Sequence, residues 1–144
     1  MDLLFGYDVL VIDDNPAVCE LAEAALRDAV LAVRSCTDPE EGLELWARWR
    51  PRVVLMDYEM PRMNGVFCAN VIRKLEGEAG LRTIMLMVTA HATPQIVQEA
   101  VAAGFNGFIP KPLTAADVLS RVRNAVEYEW DQGIAPDPRK KRAR

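Results

Sequence analysis

The chain has 144 residues, of which 51% are hydrophobic and 26% charged, with a net charge of −4. That length suits a single domain with a buried core, and the composition is that of an ordinary globular protein. No apolar run approaches the ~20 residues of a membrane helix, and the first six residues lack the basic and apolar regions of a signal peptide, so the expected compartment is cytoplasmic.

Asp8 to Asp13 reads Asp-Val-Leu-Val-Ile-Asp, an apolar run that predicts a buried strand, and Asp14 follows directly. Asn15 and Pro16 then open a helix, since asparagine caps well and proline suits the first helical position. Val18, Leu21, Ala22, Ala25 and Leu26 recur at helical spacing to about Asp28. Leu31 to Cys36 predicts a short second strand. Asp38-Pro39-Glu40-Glu41 is a strong helix start: a capping aspartate, proline at the first position and glutamate three residues after the cap. That helix carries Leu43, Trp46 and Trp49 and ends before Pro51. Trp46 reads as core and Trp49 as partly exposed.

Val53-Val54-Leu55-Met56-Asp57 is the central stretch, and Pro61, Asn64 and Gly65 break it soon afterwards. An unbroken apolar run bounded by turn residues predicts a strand buried on both faces, with Asp57 at its carboxyl end. Val66, Phe67, Ala69, Val71, Ile72 and Leu75 predict a helix to about Leu75, followed by a loop over 76–80. Thr83 to Thr89 predicts a fourth buried strand with methionines as core filler. Thr93-Pro94 starts a helix through about Ala103, and Gly104 is its C-terminal glycine. Gly107 to Pro110 predicts a short fifth strand that stops at Lys111-Pro112, because proline cannot donate to a ladder. Thr114 to Asp117 looks like a capping box opening a final helix, with Val118, Leu119, Val122, Ala125 and Val126 inward, ended by Gly133 and Pro136. Tyr128 and Trp130, late in that helix, either extend the core or form a contact between two copies of the chain.

Five strands alternating with five helices predict an α/β fold: a doubly wound parallel sheet covered on both faces. The domain is expected over residues 1–133, with 134–144 as a disordered basic tail. Arg139, Lys140, Lys141, Arg142 and Arg144 lie in that tail, and setting these five charges aside leaves the body at −9. A body so acidic is not a nucleic-acid binder. The tail is a solvated end, a linker stub, or a contact for an acidic partner or membrane surface. Cys19, Cys36 and Cys68 are odd in number and far apart, which excludes a disulfide framework or zinc site and reads as reduced packing residues.

In an open α/β sheet, ligands bind at the carboxyl ends of the strands. Here those ends deliver Asp13 and Asp14, then Asp57, Thr89 and Lys111. Clustered carboxylates repel unless something compensates. A hard divalent cation does so, and Mg2+ fits because it takes one or two carboxylates and keeps several waters. A lysine and a hydroxyl at the same rim suit a phosphoryl group, and a free carboxylate can attack phosphorus.

Val11-Ile12-Asp13-Asp14, the run Leu55 to Gly65, Val88-Thr89-Ala90 and Lys111-Pro112, all in order and each at a strand end, make a specific signal. Over about residues 7 to 130 the chain resembles the receiver domain of two-component response regulators, the group that includes the bacterial chemotaxis regulator. The resemblance implies a flavodoxin-like sheet of order 2-1-3-4-5. It implies Asp57 as phosphoacceptor, Asp14 as direct magnesium ligand, Asp13 as a companion acid acting through water, and the Glu59 backbone carbonyl as third protein ligand. It implies that Lys111 pairs with the phosphoryl group, that Thr89 hydrogen-bonds it and draws its loop inward, and that Phe108 is the aromatic switch that follows. Phe108 also has a plainer reading as edge-strand packing.

Glu59 and His91 occupy the positions that flank the attacking water and tune phosphoryl lifetime in this family. Each also reads as a solvated loop residue. The phosphodonor implied is a histidine kinase or histidine phosphotransfer protein, and the downstream target is a protein met by helix 4, strand 5 and helix 5. The expectation is a stand-alone receiver that promotes only its own phosphorylation and dephosphorylation. Two alternatives stay open. One is a phosphatase or phosphotransferase working through an aspartyl phosphate, which would use a second acid such as Glu59. The other is a receiver-like binding module that is never phosphorylated.

Overall fold

The computed structural model describes residues 4–77 and 82–132, except the side chains of Trp130 and Asp131. The elements run β1 (Asp8–Ile12), α1 (Pro16–Leu26), β2 (Ala32–Cys36), α2 (Pro39–Trp49), β3 (Val53–Asp57), α3 (Gly65–Glu76), β4 (Ile84–Thr89), α4 (Pro94–Ala103), β5 (Gly107–Pro110) and α5 (Ala115–Asp131). The strands form one parallel sheet of order β2-β1-β3-β4-β5. The expected flavodoxin-like topology is therefore present. The tail, the loop positions 78–81 and Gly133 lie outside the described residues.

The unbroken apolar runs are explained by a core on each face of the sheet. Val9, Val11, Val53, Leu55, Leu86 and Val88 join α1 and α5 residues in one cluster. Their alternates Leu10, Ile12, Val54, Met56, Met85 and Met87 join residues of α2, α3 and α4 in the other. Every residue of β3 and β4 is buried, and each such aliphatic side chain contributes roughly 1.5–3 kcal/mol against exposure. β2 is one edge of the sheet, half-buried along most of its length, and β5 is the other.

Side-chain caps set the helix starts, at Asn15, Asp38, Thr93 and Thr114 as the residues predict and at Asn64 where the sequence predicts only a turn. Asn15, Asp38, Asn64 and Thr93 each accept from the first turn of α1, α2, α3 and α4, and Thr114 Oγ1 accepts from Asp117 N at 3.0 Å. Asp38 also pairs with Arg62 across the α2 and β3–α3 loops. Arg62 is mostly exposed, so that ion pair adds little. Asp38→Ala is expected to cost about 1 kcal/mol, mostly through the lost cap, read as a lowered urea midpoint at constant slope.

Several boundaries move. α1 stops at Leu26 rather than Asp28, and Leu31 lies outside β2 and is largely exposed. Glu76 belongs to α3 rather than to the following loop. Its carboxylate accepts from Arg73 Nη1 at 2.9 Å and from Thr83 N, so it closes the helix onto the start of β4. Trp46 is core, with its ring nitrogen donating to Thr83 Oγ1 at 3.2 Å. Trp49 is half-buried with Arg34 over its ring. Tyr128 does not extend the core; it is 62% exposed.

Candidate functional site

The register places the site. Asp57 is level with Val88 of β4, and Met56 with Ile12 of β1, so Asp13 emerges beside Asp57. Tyr58 N donates to Val88 O at 3.1 Å, carrying the β3–β4 pairing one residue past Asp57. The chain then turns through Arg62, which takes the left-handed conformation at φ 68°. It closes on itself where Gly65 N donates to Tyr58 O at 2.8 Å. A Cβ on Gly65 would lie 2.5 Å from the Asp57 carbonyl oxygen. Only glycine lets the start of α3 approach the end of β3 so closely, which is the physical reason for Gly65 in the turn.

Asp13 is fixed from three sides. Its N donates to Cys36 O at 3.1 Å, its Oδ1 accepts from Asn15 N at 2.9 Å, and the buried Cys19 thiol donates to its carbonyl at 3.3 Å. Asp14 is exposed beside it. From the other side of Asp57, Lys111 N donates to Thr89 O at 2.9 Å, and Thr89 Oγ1 accepts from His91 N at 3.0 Å. The Lys111 ammonium stands 3.1 Å from Asp57 Oδ1 and 3.2 Å from Asp13 Oδ2.

One lysine does not neutralise this cluster. Burial, then the Asp13 charge, pushes the Asp57 carboxyl up to about 6, against the lowering effect of Lys111. Burial likewise raises Asp13. Burial opposes the Lys111 ammonium, yet the Asp13 and Asp57 carboxylates outweigh it and raise its pKa. Asp13, Asp14 and Asp57 each offer an oxygen, all within 4.8 Å of one another. Asp13 Oδ2 is buried without a hydrogen-bond partner; its contact with Lys111 is an ion pair only. Three hard oxygen donors, one of them unsatisfied, fit a divalent hard cation.

A pocket of about 310 Å³ opens above this cluster, lined by Asp14, Asn15, Asp57, Tyr58, Glu59, Thr89, Ala90, His91 and Lys111. The strand ends thus bring together the predicted Asp13, Asp14, Asp57, Thr89 and Lys111, with Glu59 and His91 exposed on the rim. Phe108 is not in that pocket. It is half-buried on β5, packed against the cluster that contains α4, and it lines a second cavity with Arg121 and Tyr128.

A family model described as the response regulator receiver domain matches residues 9–123. The chain belongs to that family. Receivers of this family serve two-component signalling with histidine kinases, and phosphorylation falls on an aspartate. The receiver is 33% identical over 108 residues to hybrid signal transduction histidine kinase C of Dictyostelium discoideum, a match covering 72% of this chain and 9% of the kinase. It therefore spans about a tenth of that relative's length. It is 32% identical over 128 residues to a 14.6 kDa protein of Leptolyngbya boryana, covering 89% of this chain and 94% of that one. Among solved structures it is similar to the chemotaxis protein CheY4 of Vibrio cholerae, with a TM-score of 0.76 and 26% identity over 83% of this chain and 98% of that one.

Sequence reasoning missed two features of the receiver. Tyr58 reaches α4, where its hydroxyl donates to Glu99 Oε2 at 3.0 Å. Arg52, just before β3, pairs with the buried Glu129 of α5 at 2.7 Å. Both join residues far apart in the chain, and no local pattern marks either. Among the described residues, no helix is long and apolar enough to cross a membrane.

Proposed function

We infer that Asp57 accepts a phosphoryl group from a phosphohistidine of a histidine kinase or phosphotransfer protein, with Mg2+ beside it, and that this switches a protein-binding surface. One observation carries the reading: three carboxylates and one ammonium converge at the carboxyl ends of β1, β3 and β5. Of the two buried aspartates, Asp57 lines the pocket and Asp13 does not, which supports Asp57 as the acceptor. An Asp57 oxygen forms the new O–P bond as the donor's N–P bond breaks, and the electron pair leaves with the imidazole. Asp14, Asp57 and the Glu59 backbone carbonyl would hold the metal, with Asp13 acting through a bound water. When bound, Mg2+ supplies positive charge against the phosphoryl oxygens.

Lys111, already 3.1 Å from Asp57 Oδ1, is placed to pair with the transferred group. The Thr89 hydroxyl, at the pocket wall, donates to it and draws the β4–α4 loop inward. Phe108 follows as the switch, and the face of α4, β5 and α5 carries the change to a protein target. Glu59 and His91, exposed at the pocket rim, flank the path of attacking water and set how long the phosphoryl group persists. Glu59 in the pocket is also what a phosphatase reading would use.

Intact mass after incubation with acetyl phosphate tests this. Wild type is expected to gain one phosphoryl group with Mg2+ and none when the metal is chelated, and to release no product from an added phosphate ester. Continuous ester turnover would favour the phosphatase instead. Absence of any gain, together with no binding of beryllofluoride, would leave a binding module.

A further inference from the structure

Tyr58 follows the phosphoacceptor directly and lines its pocket. Its main chain is held at both ends, by Tyr58 N to Val88 O at 3.1 Å and by Gly65 N to Tyr58 O at 2.8 Å. Its hydroxyl donates to Glu99 Oε2 at 3.0 Å. Glu99 precedes Ala100, which is fully buried against the core, so this carboxylate sits on a part of α4 that is anchored. The hydrogen bond to Glu99, with a smaller contribution from burial, raises the Tyr58 pKa, and the phenol remains a donor at neutral pH.

The backbone offers another route from pocket to α4, residues 90–93. Ala90 and His91 line the pocket there, and Thr93 caps the helix. The bond between Tyr58 and Glu99 bypasses that connection. It joins the residue next to Asp57 to the second turn of the helix that carries the proposed output face.

We propose that Tyr58 is a coupling residue, whose hydroxyl bond to Glu99 transmits occupation of the Asp57 pocket to α4. This deepens the phosphoacceptor reading and rests on it. A static contact is not coupling; coupling is a difference in response that disappears when either partner is removed. The link runs beside the Thr89 and Phe108 route and predicts a graded effect, as one hydrogen bond at an exposed position should give.

The test is amide hydrogen exchange over residues 94–103 of the full chain, with and without Mg2+ and beryllofluoride. Wild type, Tyr58→Phe, Glu99→Ala, Glu99→Gln and the double variant Tyr58→Phe/Glu99→Ala are compared. In wild type the ligands change α4 exchange. In Tyr58→Phe and Glu99→Ala that change is expected to shrink about 2–10-fold. The double variant should shrink no further, and Glu99→Gln, which keeps an acceptor, should retain most of the response. A structural role alone would shift α4 exchange equally in all conditions and leave the ligand-induced ratio at the wild-type value; that result, or additive single effects, overturns the proposal. If beryllofluoride leaves α4 exchange unchanged in wild type, no signal reaches α4 and the coupling fails, whereas the phosphoacceptor reading is judged separately by the phosphoryl gain in intact mass.

Discussion

Asp57→Asn is expected to take up no phosphoryl group from acetyl phosphate and, at the same time, to be more stable than wild type at pH 7.5. The first half follows because an amide cannot form the acyl phosphate. The second follows from electrostatics. The Asp57 carboxyl is raised from 3.8 to about 6, first by burial and then by the Asp13 charge. An acid raised in this way binds more protons folded than unfolded between about pH 4 and 6. Its contribution to stability therefore falls as pH rises through that window and stays low above it. Asparagine does not titrate, so the variant's advantage should be absent below about pH 4 and complete above about pH 6.5.

A shift of that size corresponds to at most about 3 kcal/mol. The pocket beside Asp57 admits water, which brings the expected gain to on the order of 1–2 kcal/mol. Asparagine still offers an oxygen to Lys111, and the Lys111–Asp13 pair remains. Urea unfolding of both proteins from pH 4 to 8 reads the effect directly. Added Mg2+ should narrow the gap, because the cation stabilises the carboxylate form of wild type and has less to bind in the variant. Equal stability at pH 7.5, or an advantage that grows towards acid, would contradict the strain assigned to this carboxylate.

Lys111→Ala should lose on both counts. Removing a preorganised charge that faces the developing phosphoryl charge typically costs about 10²–10³ in rate, and phosphoryl uptake is expected to fall by about that factor. Stability falls as well, since the ammonium contacts both Asp13 and Asp57. Breaking a fully buried pair costs about 3–5 kcal/mol. Lys111 keeps 23% of its side chain exposed, so about 2 kcal/mol at pH 7.5 is the expectation. Without the lysine the carboxyl pKa values rise further, and the folded variant takes up more protons than folded wild type near neutrality. Its deficit must therefore grow as pH rises from 5 to 7.5 and shrink towards acid, where protonation relieves the repulsion. Mg2+ should restore stability in the variant without restoring uptake, since the cation replaces charge but not the lysine's position. A deficit independent of pH would mean that Lys111 acts mainly through packing.

The two variants move stability in opposite directions for one reason. The rim holds more negative charge than its single lysine balances, and that imbalance is what the proposed cation site and nucleophile would use. Cores usually remove such conflicts; functional rims retain them.

Much of this was legible along the chain. The runs ending at Asp13, Asp57, Thr89 and before Lys111 gave strand positions within a residue or two, because a strand buried on both faces must be apolar at every position. Caps at Asn15, Asp38, Thr93 and Thr114 marked helix starts because their side chains satisfy nearby backbone N–H groups. Turn chemistry at Asn64-Gly65 was equally local. Ends were harder to read: Glu76 looked like loop until its carboxylate was seen closing α3 onto Thr83 N, a partner across an intervening segment.

Composition and local spacing, then, were enough for the alternation of elements, the two-faced burial of the central strands and the identity of the rim residues, since each depends on a residue and its near neighbours. Distances and energies at the rim depended on the fold. The strand register sets Asp13 beside Asp57 and Lys111 between them, and burial raises the Asp57 pKa. Neither quantity exists until residues more than forty positions apart share a low-dielectric edge of the sheet. The bonds from Tyr58 to Glu99 and from Arg52 to Glu129 belong to the same class. They are made by side chains that only tertiary packing brings within reach, and a linear pattern carries no signal for them.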